Sequence, residues 1–107
     1  ITITGAETPE RQREMVEYLG RVQGAGKRWL SFEPLLHYPH YDAFRRSLDL
    51  ADWVVVGGQS GKGRRVQGEF SEIQTLSNMV VGRGIPLWEK NHLRHILPTP
   101  LIQELPQ

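Results

Sequence analysis

Short runs of apolar and β-branched residues recur along the chain, beginning at residues 1, 28, 53 and 85. Each interval is long enough for one strand followed by one helix. The pattern predicts strands over residues 1–4, 28–32, 53–56 and 85–88. The third run, Trp-Val-Val-Val, is apolar throughout, which is expected of a strand buried on both faces of a parallel sheet. Pro86 lacks an amide donor, so the fourth strand should lie at an edge or begin near this proline.

Amphipathic segments fill the intervals and predict three helices. Thr8 and Pro9 provide an N-cap and a first helical position for the first of them. Ser71 and Gln74 have capping-box spacing, which predicts the start of the third. One or two further turns are predicted between residues 91 and 97. The apolar positions that share a helix face are Met15, Leu19 and Val22 in the first helix, Tyr41, Phe44 and Leu48 in the second, and Ile73, Leu76 and Val80 in the third.

Strands that alternate with helices indicate an α/β fold with a parallel sheet. Two architectures fit this alternation: four βα units that form half of a (β/α) barrel, or a small open doubly wound sheet. Residues 1–97 make up the predicted domain. Residues 98–107 form a proline-rich tail, which either lies along the surface as a strap or is mobile.

Composition narrows the classes of function. The length of 107 residues suits one domain. The formal net charge of +1 argues against binding a polyanion by bulk electrostatics. The chain has no cysteine, so it can form no disulfide and no cysteine-ligated zinc or iron–sulfur site. It has neither a transmembrane run nor a signal peptide, and we expect a cytoplasmic protein without a membrane partner. It opens on Ile1 without an initiator methionine, which indicates a piece of a longer protein.

Polar and glycine-rich segments follow the predicted strands, at the end where parallel α/β folds bind their ligands. Glu33 comes directly after the second strand. Its carboxylate can accept hydrogen bonds from a ribose or an amine or act as a base, or it can cap a helix or form an ion pair. Residues 57–61, Gly-Gly-Gln-Ser-Gly, allow backbone amides to approach a phosphate, a carboxylate or an adenine, or form a plain βα turn. Thr4-Gly5 and Glu89-Lys90-Asn91 follow the other strands, and we expect all four strand ends to meet at one rim.

The basic cluster of Lys62, Arg64 and Arg65 can contact a phosphate or a nucleic acid, although such clusters are more often solvated loops. Binding of nucleic acid there should fall steeply with salt. A nucleotide-binding P-loop is excluded, because Val56 and Gly63 occupy positions that require glycine and Ser or Thr.

Histidines and tryptophans form two further patterns. His37 and His40, and His92 and His95, are spaced three residues apart, as metal ligands can be, but no anchoring motif accompanies them and surface or partly buried positions are expected. The three tryptophans fall in or beside successive strands, where core or barrel-wall positions are expected before stacking platforms. They are Trp29, Trp53 and Trp88.

The strand-end segments together resemble one family. Residues 30–36 contain the pattern Ser-Phe-Glu-Pro-Leu-Leu, and residues 52–61 contain Trp-Val-Val-Val-Gly-Gly-Gln-Ser-Gly. Residues 85–91 read Ile-Pro-Leu-Trp-Glu-Lys-Asn. With residues 1–5, these motifs resemble a phage- and prokaryote-associated family of radical-SAM-like proteins of unknown function, over most of residues 1–92.

The resemblance implies that this chain is the later half of a radical-SAM-type partial (β/α) barrel. The parent protein would bind S-adenosylmethionine and a [4Fe–4S] cluster, whose cysteine ligands would lie in the missing earlier half. This chain would then contain no catalytic residue or metal site of its own and would be inactive alone, so whether it counts as an enzyme stays open.

The family pattern also implies roles for residues at the strand ends. The candidates for ribose or amine contacts are Thr4 and Glu33. The candidates for the adenine or carboxylate side are Gly57, Gly58 and Ser60. The candidates for substrate contacts are Gln59 and Lys90, and Gln59 stands where the family usually has an acidic residue.

The alternative is a stand-alone α/β module that binds a partner or assembles with itself. A half-barrel exposes sheet edges and apolar strand faces, which are commonly covered by another chain. The expected partner is therefore either the missing half-barrel or a second copy of this chain.

Overall fold

The computed structural model describes residues 1–21, 28–32, 39–57, 69–95, 97 and 100–106. Three helices and three strands alternate along these residues, and a 3₁₀ helix follows the last strand. In chain order they are α1 (Pro9–Arg21), β1 (Trp29–Phe32), α2 (Tyr41–Leu50), β2 (Trp53–Val56), α3 (Glu69–Gly82), β3 (Leu87–Glu89) and the 3₁₀ helix (Asn91–His95).

The three strands form one parallel sheet whose spatial order, β1-β2-β3, is the same as their order in the chain. Trp29 pairs with Trp53, and Val54 pairs with Leu87. The structure therefore confirms an α/β domain with a parallel sheet. The predicted strand over residues 1–4 is reduced to a parallel bridge from Thr2 to β1.

A segment of the proline-rich tail joins the other edge of the sheet in the opposite direction. Gln103 pairs with Trp88 in an antiparallel bridge. The Glu89 amide donates to the Ile102 carbonyl oxygen, and the Glu104 amide donates to the Leu87 carbonyl oxygen, both at 2.8 Å. We call residues 100–106 the strap. The strap occupies the outer edge of β3, which confirms the surface-strap alternative for these residues.

Within the described residues, the helices cover one face of the sheet. Leu30, Phe32, Val54 and Val56 are fully buried and share one hydrophobic core with the buried side chains of all three helices. On the opposite face, the side chains alternate with these and are partly buried or exposed. We call this the open face, and its residues are Thr2, Trp29, Ser31, Trp53, Val55 and Trp88.

The expectation that the third run is buried on both faces is therefore wrong. Trp53 and Val55 are only partly buried, because within the described chain every helix lies on the opposite side of the sheet. An apolar run reports where side chains can be buried, whereas burial itself needs a covering element.

The third helix and the last strand begin away from their predicted positions. α3 begins at Glu69, before the capping-box serine Ser71, and buries Ile73, Leu76 and Val80 as expected. β3 begins at Leu87 and not at residue 85, which confirms that the strand begins near Pro86, because proline offers no amide to the ladder. Among the described residues, none of the helices has the length and apolar character needed to cross a membrane.

Candidate functional site

The carboxyl ends of the strands meet at one rim, as the sequence predicts. The Gly57 amide donates to the Phe32 carbonyl oxygen, and the Lys90 amide donates to the Val56 carbonyl oxygen, both at 3.0 Å. Gly57 and Lys90 therefore lie on one row across the sheet. Thr4 reaches the same level on the neighbouring segment, because Thr2 pairs with Ser31 two residues earlier. Three of the seven candidate residues are thus brought to one edge.

The other four candidates, Glu33, Gly58, Gln59 and Ser60, lie outside the described residues, as do the basic cluster at residues 62–65 and His37.

Thr4 is part of a tight turn that follows the first segment. Its hydroxyl donates to Glu7 Oε2 at 2.9 Å and accepts a hydrogen bond from the Ala6 amide at 3.2 Å. Gly5 has a φ of 85°, a left-handed conformation that suits glycine. The turn fixes the Thr4 side chain against Glu7. A ligand that contacts the Thr4 hydroxyl would therefore bind a group that already takes part in the hydrogen bonds of the turn.

The Glu7 carboxylate is the acceptor around which this turn is built. It accepts from the backbone amides of Thr4 and Gly5 as well as from the Thr4 hydroxyl. Burial raises the pKa of Glu7, but the backbone and side-chain hydrogen bonds to its charged form lower it by more. The net pKa of Glu7 therefore lies below its ordinary value, and the carboxylate is ionised at neutral pH.

Gln12 ties this turn to the helices. Its buried side chain donates from Nε2 to the Glu7 carbonyl oxygen at 2.9 Å and to the Gly5 carbonyl oxygen at 3.3 Å. Its Oε1 accepts from the His40 amide at 2.8 Å, immediately before α2. The sequence analysis did not single out Gln12, although it lies one helical turn before Val16 on the buried face of α1. A glutamine at a position of the helix where the pattern calls for an apolar residue could have indicated a buried hydrogen-bonding role.

Glu89 does not reach the rim, which corrects the expectation that it would lie there with Lys90. It is the last residue of β3 and is turned into the core, with 2% of its surface exposed. The strand begins at Leu87 and ends at Glu89, one residue later than predicted, so Glu89 belongs to the strand itself. Because side chains alternate along a strand, Glu89 faces the helices while its neighbours Trp88 and Lys90 face the other way.

The open face contains a hollow with a volume of about 440 Å³. Trp29 and Trp53 meet edge to face with ring centroids 4.8 Å apart, and Trp53 and Trp88 meet similarly at 6.5 Å. The Trp53 indole donates from Nε1 to the Glu104 carbonyl oxygen of the strap at 2.7 Å. The residues that line the hollow are Ile1, Thr2, Trp29, Leu30, Ser31, Trp53, Val55, Trp88 and Lys90.

The tryptophans are thus wall residues of an uncovered face and are not core residues, since 55% of the Trp29 surface is exposed. Trp29 and Trp53 lie at the amino ends of β1 and β2, and Trp88 pairs with Val55 nearer the carboxyl ends, where Gly57 and Lys90 lie. The hollow is therefore apolar at one end and carries an amine at the other. In the part of the chain that the structure describes, no three His, Asp or Glu side chains are grouped so as to hold a metal ion.

These features define an α/β protein with a parallel sheet that is covered on one side and has a polar rim at its carboxyl end. The chain belongs to the family described as protein of unknown function DUF5131, whose model matches residues 2–93. The match includes every strand and the rim. No curated protein and no solved structure matches the chain.

Proposed function

We propose that this chain is the carboxyl-terminal half of a partial (β/α) barrel in a radical-SAM-like enzyme. It would supply strand ends that contact S-adenosylmethionine and a substrate, and it would be inactive without the half that holds the iron–sulfur cluster. The residues of this chain do not fit the cluster itself, because the chain has no cysteine.

The observation that carries the proposal is the one-sided sheet with strands in chain order. In a doubly wound sheet, the strand order reverses at a switch point and helices cover both faces. In a barrel, successive strands lie side by side and all helices lie outside. The order β1-β2-β3 with a common helical side favours the barrel arrangement. The open face would then be part of the barrel interior.

The side chains along the open face also suit a barrel interior. Trp29 and Trp53 pair at the amino ends of their strands, and the smaller side chains Ser31 and Val55 pair two residues further on. Side chains fill the interior of such barrels in layers, and active sites lie at the carboxyl ends of the strands. Trp29 and Trp53 would close the bottom of the interior, Trp88 would stand beside Val55 in the next layer, and the hollow would open toward the rim.

The rim carries groups that suit the polar parts of S-adenosylmethionine. By resemblance, Thr4 and Glu33 would contact the ribose or the amine. Gly57, Gly58 and Ser60 would lie beside the adenine or the carboxylate, and Gln59 would contact the substrate. Lys90 lines the hollow, where its amine suits an anionic group of the substrate. When bound at the cluster, S-adenosylmethionine supplies the radical by reductive cleavage, and the protein positions it.

The coding sequence upstream of Ile1 gives the first test. We expect an open reading frame with a C-x-x-x-C-x-x-C motif within about 150 residues, the length of half a barrel with insertions. A start codon directly before Ile1 would contradict the proposal.

The second test uses the protein encoded by that whole frame, reconstituted with iron and sulfide without oxygen. We expect S-adenosylmethionine binding in a calorimeter that weakens at least about tenfold in Glu33→Ala, the loss of a charged hydrogen-bond partner. Glu17→Ala, on the exposed surface of α1, is the matched control and should bind normally. Equal binding by the Glu33 variant and the wild type would remove Glu33 from the site.

A second candidate function is a self-assembling module, which the exposed aromatic surface favours. Tryptophans on an uncovered sheet face commonly mark an interface. Trp29 and Tyr41 are exposed to similar extents, 55% and 58%, but Tyr41 lies on α2, whose buried side chains pack on the covered side of the sheet. If the open face joins two copies, Trp29→Ala should shift sedimentation toward the monomer while Tyr41→Ala should not. A wild-type chain that sediments as a monomer at high concentration would exclude this function.

A further inference from the structure

The strap is attached to the sheet through hydrogen bonds from several directions. Besides its two backbone bonds to β3, the Gln103 side chain donates to the Glu89 carbonyl oxygen at 3.0 Å and to Asn91 Oδ1 at 2.8 Å. The Leu87 amide donates to Glu104 Oε1 at 3.2 Å. Leu101 and Ile102 pack against the hydrophobic core. The attachment is therefore specific in register.

One of these attachments uses a buried carboxylate. Glu89 Oε1 accepts from the Ile102 amide of the strap at 2.8 Å, and Oε2 accepts from the Ser77 hydroxyl of α3 at 2.9 Å. Among the described residues, no Lys, Arg or His forms an ion pair with Glu89. Within the described residues, this buried carboxylate has two hydrogen-bond donors and no cation to compensate for its lost hydration.

The strap also fixes a side chain of the open face. The Trp53 indole N–H reaches the Glu104 carbonyl oxygen of the strap, and the same ring contacts both Trp29 and Trp88. Glu104 is therefore joined to β3 through its backbone amide and its carboxylate, and to the open face through its carbonyl oxygen. The strap and the central tryptophan of the hollow form one connected unit.

We propose that the strap is a releasable cover held by Glu89, and that its release changes the shape of the hollow through Trp53. In the docked state, the strap closes the outer edge of β3 and holds the indole. In the released state, water reaches the Glu89 carboxylate and replaces the Ile102 amide, the β3 edge loses its cover, and the Trp53 ring is free to turn.

The physical reason for a releasable state lies in this exchange of partners. Release costs the backbone hydrogen bonds and the packing of Leu101 and Ile102. It also returns hydration to a buried carboxyl group and conformational freedom to the strap, two terms that oppose docking. A short segment with opposing terms of this kind opens locally while the sheet stays folded. This inference does not depend on the proposed enzymatic function.

Two neighbouring amides of β3 allow a direct test by hydrogen exchange in NMR. The Glu89 amide bonds to the strap, whereas the Lys90 amide bonds to β2. We expect the amides of Glu89, Ile102 and Glu104 and the Trp53 indole to exchange together, at least about tenfold faster than the Lys90 amide, because local opening needs less free energy than unfolding. Equal exchange of the Glu89 and Lys90 amides would overturn the proposal.

Variants at Glu89 and Ser77 distinguish a strap that Glu89 holds from a strap that is held by apolar packing alone. Glu89→Ala removes the acceptor of the Ile102 amide and should speed exchange of the strap set by a further factor of about ten, with a smaller effect on Lys90. Glu89→Gln keeps an acceptor and should restore most of the protection. Ser77→Ala removes the other donor to Glu89 and leaves its carboxylate less compensated, so it should also speed exchange of the strap set relative to Lys90, by a smaller factor than Glu89→Ala.

A crosslink provides the locked state. Trp88 and Gln103 face each other in an antiparallel pair that is not itself hydrogen-bonded, a geometry that accepts a disulfide. The chain has no other cysteine, so Trp88→Cys with Gln103→Cys forms one defined bond. Adding it to Glu89→Ala should abolish the fast exchange of Ile102 and Glu104. Fast exchange that persists in the locked variant, or acceleration of Lys90 equal to that of the strap, would contradict the proposal.

Discussion

At the scale of single residues, buried polar side chains connect the loops of this protein to its sheet. Gln12 and Glu89 are both about 2% exposed, and each joins segments distant in sequence. Gln12 joins the Thr4 turn to the start of α2, and Glu89 joins β3 to the strap. Such groups stabilise when every polar atom is paired and destabilise strongly when one partner is removed.

Gln12→Ala tests the first of these connections. It leaves the His40 amide and the Glu7 carbonyl oxygen without their partner, so we expect the free energy of unfolding to fall by about 2–3 kcal/mol. Urea denaturation measures the change. Arg13→Ala, the next residue on α1, is the control and should change the stability by less than about 0.5 kcal/mol. Equal effects of the two variants would contradict the connecting role of Gln12.

Glu7 predicts a pH dependence of stability. Because its pKa is lowered in the folded protein from the ordinary 4.5, its contribution is fully present above that value and is lost as the pH falls toward the lowered pKa. Glu7→Gln should therefore be less stable than the wild type at neutral pH, and the two should converge in acid. Unfolding followed in urea across this pH range measures the difference. Glu72→Gln on α3 is the control, and its curve should run parallel to that of the wild type.

At the scale of elements, the sequence predicts those segments whose pattern is set locally. β2 has the predicted bounds because its four apolar residues stand between Asp52 and Gly57, and α1 begins where the Thr8 hydroxyl accepts a hydrogen bond from the Arg11 amide at 3.1 Å. The prediction that α3 starts at Ser71 is wrong, because Ser71 and Gln74 match a capping box by spacing alone. The antiparallel pairing of the strap could not be predicted, because its partners lie 13 to 17 residues away on β3.

The same distinction holds for the candidate site. Thr4, Gly57 and Lys90 meet at the rim because parallel strands end together, which follows from topology. The position of Glu89 depends on the residue at which β3 begins, and a shift of one residue decides whether a side chain belongs to the rim or to the core. A pattern that ends in Leu-Trp-Glu-Lys does not settle that shift.

The end of α3 offers a matched pair of glycine substitutions. Gly84 has a φ of 72°, and the bonds from its amide to Val81 and from the Ile85 amide to Val80 form a Schellman cap. Gly84→Ala should lower the free energy of unfolding by about 1 kcal/mol.

Gly82→Ala, still within the helix and with open space around the added methyl group, should instead raise it by about 0.5–1 kcal/mol. Thermal or urea unfolding of both variants measures the signs. Two changes of the same sign would contradict this description of the helix end.

At the scale of the whole molecule, one face of the sheet packs against the helices in the hydrophobic core, and the described residues leave the other face uncovered. Parallel strands are usually covered on both faces, so the open face is the unusual feature of this fold. Consecutive residues of β1 fall on opposite faces, Trp29 outward and Leu30 inward.

This pair of neighbours tests the one-sided arrangement. Leu30→Ala leaves a cavity in the core and should lower the free energy of unfolding by about 2–4 kcal/mol. Trp29→Ala removes a larger side chain that is more than half exposed, and it should cost less than about 1 kcal/mol in the isolated chain. Urea denaturation at low protein concentration measures both. A larger loss from Trp29→Ala than from Leu30→Ala would show that the open face is covered in solution.

The open face has a thermodynamic consequence. Its tryptophans already meet water in the folded chain, so unfolding exposes less new apolar surface than in a domain of this length whose sheet is covered twice. The heat capacity change of unfolding and the urea m-value should both be small for the chain length. Association with a partner that buries these rings should have a negative heat capacity change, because apolar surface that is exposed in the folded chain leaves water on binding. Calorimetric titrations at several temperatures would therefore show whether a partner binds to the open face, because its binding enthalpy should become more negative as the temperature rises.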